Sequence, residues 1–134
     1  MTREAFIDIL DEKRYSYMIV GGKIVVTDRG DVYLFSLTSL PPDVEFRNRG
    51  DVDLRSLTSL PPDVEFRNRG WVYLGALTSL PPGVVFKNRG YVWLDYLLGG
   101  YFNRWSGNIE GIDSKRLLNK MIKDGLFKDD KRRV

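Results

Sequence analysis

Between residues 31 and 90 the apolar positions return at the same offsets every twenty residues, in two short stretches per cycle. In the second cycle these are Val52, Leu54 and Leu57, then Val64 and Phe66, with Thr58 to Pro62 between them. Alternation with period two is the signature of a strand with one face inward. Pro61-Pro62 cannot donate to a ladder and fixes φ, so it marks a corner. Asn68-Arg69-Gly70 marks the other corner, where glycine is expected to supply the positive φ of a tight turn and Asn tolerates it better than most residues. One cycle therefore reads as strand, corner, strand, corner.

Aligned by column, residues 31–50, 51–70 and 71–90 follow x-V-x-L-x-S/A-L-T-S-L-P-P-x-V-x-F-R/K-N-R-G, with thirteen of the twenty columns identical in all three. Ile24 to Gly30 matches Val44 to Gly50, and Tyr91 to Leu97 matches Trp71 to Leu77, so the array runs from 24 to 97 and holds about three and a half coils. A twenty-residue loop has no inside until a neighbour covers it. Stacking coils at about 4.8 Å places each residue over its equivalent and forms parallel sheets. Leu57 is then expected between Leu37 and Leu77, and Phe66 between Phe46 and Phe86. The expected fold is mainly β, a short β-solenoid with parallel sheets, capped by an N-terminal and a C-terminal α-helix.

Open solenoid ends expose strand edges, which is why caps are expected. Residues 1–23 form the N-terminal cap and lead-in: Thr2 is a candidate N-cap, and Ala5, Phe6, Ile9 and Leu10 have helical spacing. Residues 98–127 form the C-terminal cap, with a helix over 112–127 that starts at Asp113, carries Leu117, Leu118, Met121 and Ile122 on one stripe and stops at Gly125. Residues 128–134 are a basic tail with nothing to bury. All of this is one domain of 134 residues.

The chain has no Cys and no His, which removes disulfides, thiol chemistry and the commonest general base. Paired carboxylates remain, with Asp31 stacked near Asp51 and Glu45 near Glu65, but they arise from repetition and are expected on an outer face without a cleft. The reading is a non-enzyme with no cofactor and no metal. No run approaches the roughly twenty apolar residues of a membrane span. The acidic first fifteen residues (Glu4, Asp8, Asp11, Glu12) do not form a signal peptide, so the expected location is cytoplasmic.

The net charge of +3 is uneven: residues 31–90 hold seven basic and seven acidic side chains, whereas 111–134 hold eight and four. Lys115, Arg116, Lys120 and Lys123 on the last helix, with Lys128, Lys131, Arg132 and Arg133 of the tail, form a candidate basic patch for an acidic protein or nucleic acid. Within the repeats, Arg29, Arg49, Arg69 and Arg89 share one column and Arg47, Arg67 and Lys87 another. Asp43, Glu45, Asp63 and Glu65 compete for these cations, which reads as a solvated face of mixed charge.

The columns that vary carry the individuality of the array. Column one is Asp31, Asp51, Trp71, Tyr91; column three is Tyr33, Asp53, Tyr73, Trp93; column five is Phe35, Arg55, Gly75, Asp95. At i, i+2 and i+4 of one strand they share the face opposite Val52 and Leu54. The candidate partner-binding residues are Tyr33, Phe35, Arg55, Trp71, Tyr73, Tyr91 and Trp93, since Trp, Tyr and Arg supply most of the energy of protein interfaces. The alternative is that the C-terminal segment, through Tyr101, Phe102 and Trp105, folds over this face and closes the core. Tyr33 and Phe35, farthest from that segment, are then the exposed pair.

The column pattern, carried by Leu54, Leu57, Leu60, Pro61, Asn68 and their equivalents, resembles short bacterial and bacteriophage leucine-rich-repeat-like proteins over residues 24–97. The second strand, Val64-Glu65-Phe66, stands where many leucine-rich repeats place a helix, which favours a straighter two-sheet solenoid. The resemblance implies a module that binds proteins or other macromolecules through its variable face. It also implies a phage or prophage accessory protein acting in the host cytoplasm on a host protein such as a defence component. The competing readings are nucleic-acid binding through the basic C-terminus and a structural part that self-assembles as a homo-oligomer.

Other short matches lead nowhere. Gly21-Gly22-Lys23 lacks the rest of a phosphate loop and reads as a tight turn. Arg29-Gly30-Asp31 and Arg49-Gly50-Asp51 fall at a corner that in the third copy is Arg69-Gly70-Trp71. Thr38, Thr58 and Thr78 align as in ice-binding solenoids, but Leu40, Leu60 and Leu80 occupy the place of the second outward ladder those need.

Overall fold

The computed structural model describes residues 1–98, 100–103 and 108–110. Helix α1 (Arg3–Glu12) opens the chain, with the Thr2 hydroxyl accepting from the Ala5 amide at 3.1 Å as its N-cap. Phe6 and Leu10 are its buried residues, and Ile7 and Ile9 pack beside them. Ala5, expected in the apolar stripe, is exposed: it lies on the flank of the face that Phe6 and Leu10 centre.

Strands β1 (Tyr17–Val20) and β2 (Lys23–Val26) then form an antiparallel hairpin. Gly21 and Gly22 turn it, both with positive φ (55° and 83°), as two-residue hairpin loops require. From β2 onward the chain winds as a β-solenoid of about four turns. One sheet takes β2, β4 (Val44–Phe46), β6 (Glu65–Phe66) and β8 (Val85–Phe86), in parallel and in order, with β1 on its outer edge. The other takes β3 (Val32–Tyr33), β5 (Val52–Asp53), β7 (Val72–Tyr73) and β9 (Val92–Leu94), also parallel. Ile24–Val26 and Val92–Leu94 thus contribute full rungs, which rounds the array up from the three and a half coils counted by identity.

The register is in phase with the repeat. Phe46 pairs with Phe66 and Phe66 with Phe86, and the three rings stack at centroid distances of 5.4 and 5.3 Å, within 4° and 9° of parallel. Val32, Val52, Val72 and Val92 line the opposite wall, with Leu34, Leu54, Leu74 and Leu94, and all are buried. The core is a set of ladders running along one axis, as the hydrophobic columns require.

The corners differ from the sequence reading. The first sheet's partner strands are only two or three residues long, because the chain turns at Arg55-Ser56 and its equivalents, where the Leu57 amide donates to the Leu54 carbonyl at 3.1 Å. Column five therefore sits on a turn beside the strand. Positive φ falls just after the proline pair, at Asp43 (62°), Asp63 (66°) and Gly83 (80°), and not at Gly50, Gly70 or Gly90. Those three glycines are needed for a different reason. A Cβ on Gly70 would lie 2.7 Å from the Asp51 amide nitrogen and from the Gly50 carbonyl carbon, so the backbones of successive coils touch where any side chain would stand.

Asparagine secures that corner. Asn48 and Asn68 are fully buried, and the Asn68 Nδ2 donates to the carbonyls of Gly50 (3.0 Å), Gly70 (3.2 Å) and Trp71 (3.1 Å). Asn48 does the same to Gly30, Gly50 and Asp51.

Two devices close the N-terminal end. β1 pairs along one sheet, and the Tyr15 hydroxyl accepts from the Tyr33 amide at 3.0 Å on the edge of the other. At the far end a short helix, α2 (Asp95–Leu98), leads into β10 (Gly100–Asn103) and β11 (Asn108–Glu110), which continue the second sheet in antiparallel fashion. The expected helix over 112–127 and the tail 128–134 lie outside the described residues. No helix among the described residues is long and apolar enough to cross a membrane.

Candidate protein-binding face

The outer side of the sheet built from β3, β5, β7 and β9 gathers the variable columns. Tyr33, Phe35 and Trp71 are 41%, 46% and 37% exposed, which places them among the exposed large hydrophobic residues. Tyr73, Tyr91 and Trp93 are half-buried.

Four of these rings form one cluster. Trp71 meets Tyr73, Tyr91 and Trp93 at centroid distances of 5.9, 5.4 and 6.0 Å, and Tyr73 lies parallel to Trp93, 6.1 Å away. These are the offset, edge and tilted arrangements that aromatic quadrupoles favour. The second pair, Tyr33 and Phe35, has its centroids 5.3 Å apart at the N-terminal end of the face.

Between the two clusters the face is acidic. Asp31 accepts from the Asp51 amide at 2.7 Å, and Asp51 accepts from the Trp71 amide at the same distance, so column-one aspartates cap the coil that follows them. Tyr33 donates its hydroxyl proton to Asp31 at 2.8 Å, and this bond, with partial burial and the negative charge, raises the Tyr33 pKa. Tyr73 is raised chiefly by burial, then by the charges of Asp51 and Asp53.

Asp53 is not on display as the sequence suggested. It is 2% exposed, covered by Arg55, whose guanidinium forks onto it with Nη2 to Oδ2 at 2.6 Å and Nε to Oδ1 at 3.1 Å. The same guanidinium lies 4.3 Å from the centroid of Phe35, a cation–π contact with the coil below. The other acidic column is likewise less open than expected: Glu45 is 4% exposed, under Arg47 and Lys23.

The C-terminal segment does not roof this face through β10. That strand is hydrogen-bonded alongside β9, with Tyr101 opposite Trp93 and Phe102 opposite Val92, and a strand paired edge to edge lengthens a sheet in its own plane. Trp105 lies outside the described residues, as do Lys115, Arg116, Lys120, Lys123, Lys128, Lys131, Arg132 and Arg133.

Sequence reasoning missed Gly75 and Asp95 as site residues. Together with Arg55, Tyr73 and Trp93 they line a groove of about 310 Å³ on the same face. The signal was present in column five, where one copy alone lacks a side chain.

The basic ladders separate into two kinds. Arg47 and Arg67 are ion-paired to Glu45 and Glu65, whereas Arg29, Arg49, Arg69 and Arg89 are exposed with no ion pair among the described residues. No three acidic side chains among the described residues come together as a metal-ligating group.

Comparison of the chain with protein-family models, with curated proteins and with solved structures finds no match, so its classification rests on its architecture, a β-solenoid of about four turns.

Proposed function

We propose that this chain is a non-enzymatic protein-binding module whose contact surface is the outer face of the β3–β5–β7–β9 sheet. The observation that carries the reading is the ring cluster of Trp71, Tyr73, Tyr91 and Trp93 beside exposed Tyr33 and Phe35. Few soluble surfaces place so many large rings together, and Trp and Tyr dominate the energy of protein interfaces. The backbone explains the repeated columns through stacking; it does not call for aromatic residues on the outside.

The leucine-rich-repeat-like columns support the same reading by analogy, because such proteins bind macromolecules through the variable strand face. On that analogy the partner is a host protein met by a phage or prophage accessory protein. The acidic character of the face, set by Asp31, Asp51 and Asp95, favours a basic patch on that partner.

The test is capture of a host protein from bacterial lysate by the immobilised chain, compared with the Tyr73→Ala, Trp93→Ala double variant. Loss of capture with an unchanged far-ultraviolet circular dichroism spectrum supports the reading, and undiminished capture by the folded double variant overturns it.

A second reading, binding of nucleic acid, draws on the exposed column Arg29, Arg49, Arg69 and Arg89. A mobility-shift titration at two salt concentrations separates the two, since phosphate binding weakens steeply as salt rises.

A further inference from the structure

Column five holds Phe35, Arg55, Gly75 and Asp95, and no feature of the fold requires glycine at the third position. The Gly75 backbone is not in the left-handed region, and a Cβ added there would have as its nearest atoms Asp95 Oδ2 at 3.5 Å and Cγ at 3.7 Å, ordinary contact. Gly70 and Gly90 are different, since there a Cβ would press on the backbone of the preceding corner, at Gly50–Asp51 and Gly70–Trp71 respectively, at 2.7–2.9 Å. The missing side chain at Gly75 is therefore not a condition of folding, and what it does is open the 310 Å³ groove between Arg55 and Asp95. That volume is at the small end for ligand sites and suits one side chain better than a cofactor.

One coil away the chain shows what such a setting holds. Arg55 lies against the Phe35 ring and forks onto the Asp53 carboxylate, so ring, carboxylate and guanidinium form one unit. In the Gly75 groove the rings are Tyr73 and Trp93, parallel within 6°, and the carboxylate is Asp95, which is exposed and has no hydrogen bond or ion pair from its side chain among the described residues. Two members of the unit line the groove, and among the described residues no guanidinium reaches Asp95.

We infer that the Gly75 groove receives an arginine side chain of the partner protein, its guanidinium against Tyr73 and Trp93 and its fork on Asp95. The inference rests on the protein-binding role proposed above and names the chemistry of the contact. Charge favours it: Asp31, Asp51 and Asp95 lie on this side, while the charges of Arg55 and of the covered Asp53 offset each other. Arginine suits the site better than lysine, because a planar guanidinium both stacks on rings and matches a carboxylate with two parallel donors.

The experiment titrates the full chain with N-acetyl-arginine amide and, separately, with its uncharged isostere N-acetyl-citrulline amide, reading the Gly75 amide and Trp93 indole resonances by heteronuclear NMR. Saturable shifts are expected with the arginine probe, with citrulline about two- to fivefold weaker, as loss of one exposed cation–π contact implies. Gly75→Arg, which installs the residue the column already carries at Arg55, is expected to fold and to abolish the shifts at Trp93. Asp95→Asn is expected to weaken them. Equal shifts from both probes, or undiminished shifts in folded Gly75→Arg, overturn the inference. Should Gly75→Arg not fold, Gly75→Phe fills the groove with the column's other large residue and is read the same way.

Partner capture separates the two levels. If the Tyr73→Ala, Trp93→Ala variant loses its partner while the groove-filled variant keeps it, the face binds without an arginine entering the groove. If both keep it, the binding role itself fails.

Discussion

The side-chain amide of Asn68 donates to the carbonyl of Gly50, eighteen residues back and one coil below, at 3.0 Å. The same nitrogen also reaches Gly70 and Trp71, two and three residues on, so one side chain ties successive coils at a corner where strand pairing has stopped. Asn68 is itself buried, and each of those carbonyls also accepts a backbone amide, Gly50 from Gly70, Gly70 from Gly90 and Trp71 from Val52, so the side chain adds a second donor at each.

Asn68→Ala is expected to lower stability by about 1–3 kcal/mol, since the side-chain hydrogen bonds that tie the two coils are lost and a buried space is left where the amide stood. Asn68→Asp is expected to be worse, because it faces a carboxylate toward three carbonyl oxygens in a dry corner. Urea denaturation monitored by tryptophan fluorescence measures both; a midpoint unchanged from the parent would show that the corner is held by stacking alone.

Two glycines five residues apart, Gly70 and Gly75, are expected to behave in opposite ways. Gly70→Ala drives a Cβ into the Asp51 amide and the Gly50 carbonyl carbon, backbone atoms that cannot rotate aside, and is expected to cost about 3 kcal/mol or more. Gly75→Ala meets ordinary contacts and is expected to be neutral or to stabilise by up to about 1 kcal/mol, through the reduced freedom of the unfolded chain. Melting temperatures of the two variants, measured side by side, decide it; similar losses at both sites would show that Gly75 is structurally required.

Acid is expected to weaken the fold through Glu65. The Lys23 ammonium, 2.8 Å away, holds the Glu65 carboxyl down to about 2 from an ordinary 4.5, with Arg67 adding to the effect. Because the folded value is the lower one, this stabilisation is complete above about pH 4.5 and is lost as pH falls toward 2. Lys23 is shifted upward by the same bond, so its share is complete below its ordinary value of 10.5 and is lost only above it. Thermal melts from pH 6 down to pH 2 should therefore show a steeper fall for the parent than for Glu65→Gln. Parallel curves would mean that the Lys23–Glu65 pair contributes nothing.

Much of this architecture is legible in the sequence because a repeat converts a folding problem into a stacking problem. Once Val52 and Phe66 are seen to recur every twenty residues, parallel pairing with their equivalents is the arrangement that buries them all, and the observed registers of Val52 with Val72 and Phe66 with Phe86 follow. The N-cap at Thr2 and the Gly21-Gly22 turn were equally local, and so equally readable.

The corners were not. The turn composition points to positive φ at Gly70, the common use of glycine there, but its role is to let two backbones approach, which depends on residues about twenty positions away. Positive φ went instead to Asp63, a residue type that tolerates it, because the chain must reverse after the proline pair. Alternation along the strand places Asp53 on the outer face, and only the position of Arg55 on the following turn shows that it is covered.

The same division holds for the candidate site. Spacing along the chain is enough to say which columns vary, and hence which face carries Tyr33, Trp71, Tyr73 and Trp93, because strand alternation and translation between coils follow from it. How those side chains meet is visible only in the folded chain: Arg55 turns back onto Phe35 and Asp53, Tyr73 and Trp93 lie parallel, and the missing side chain at Gly75 leaves a groove beside Asp95. Rotamers and turn geometry set those contacts, and both depend on neighbours that are brought together by stacking and are distant along the chain.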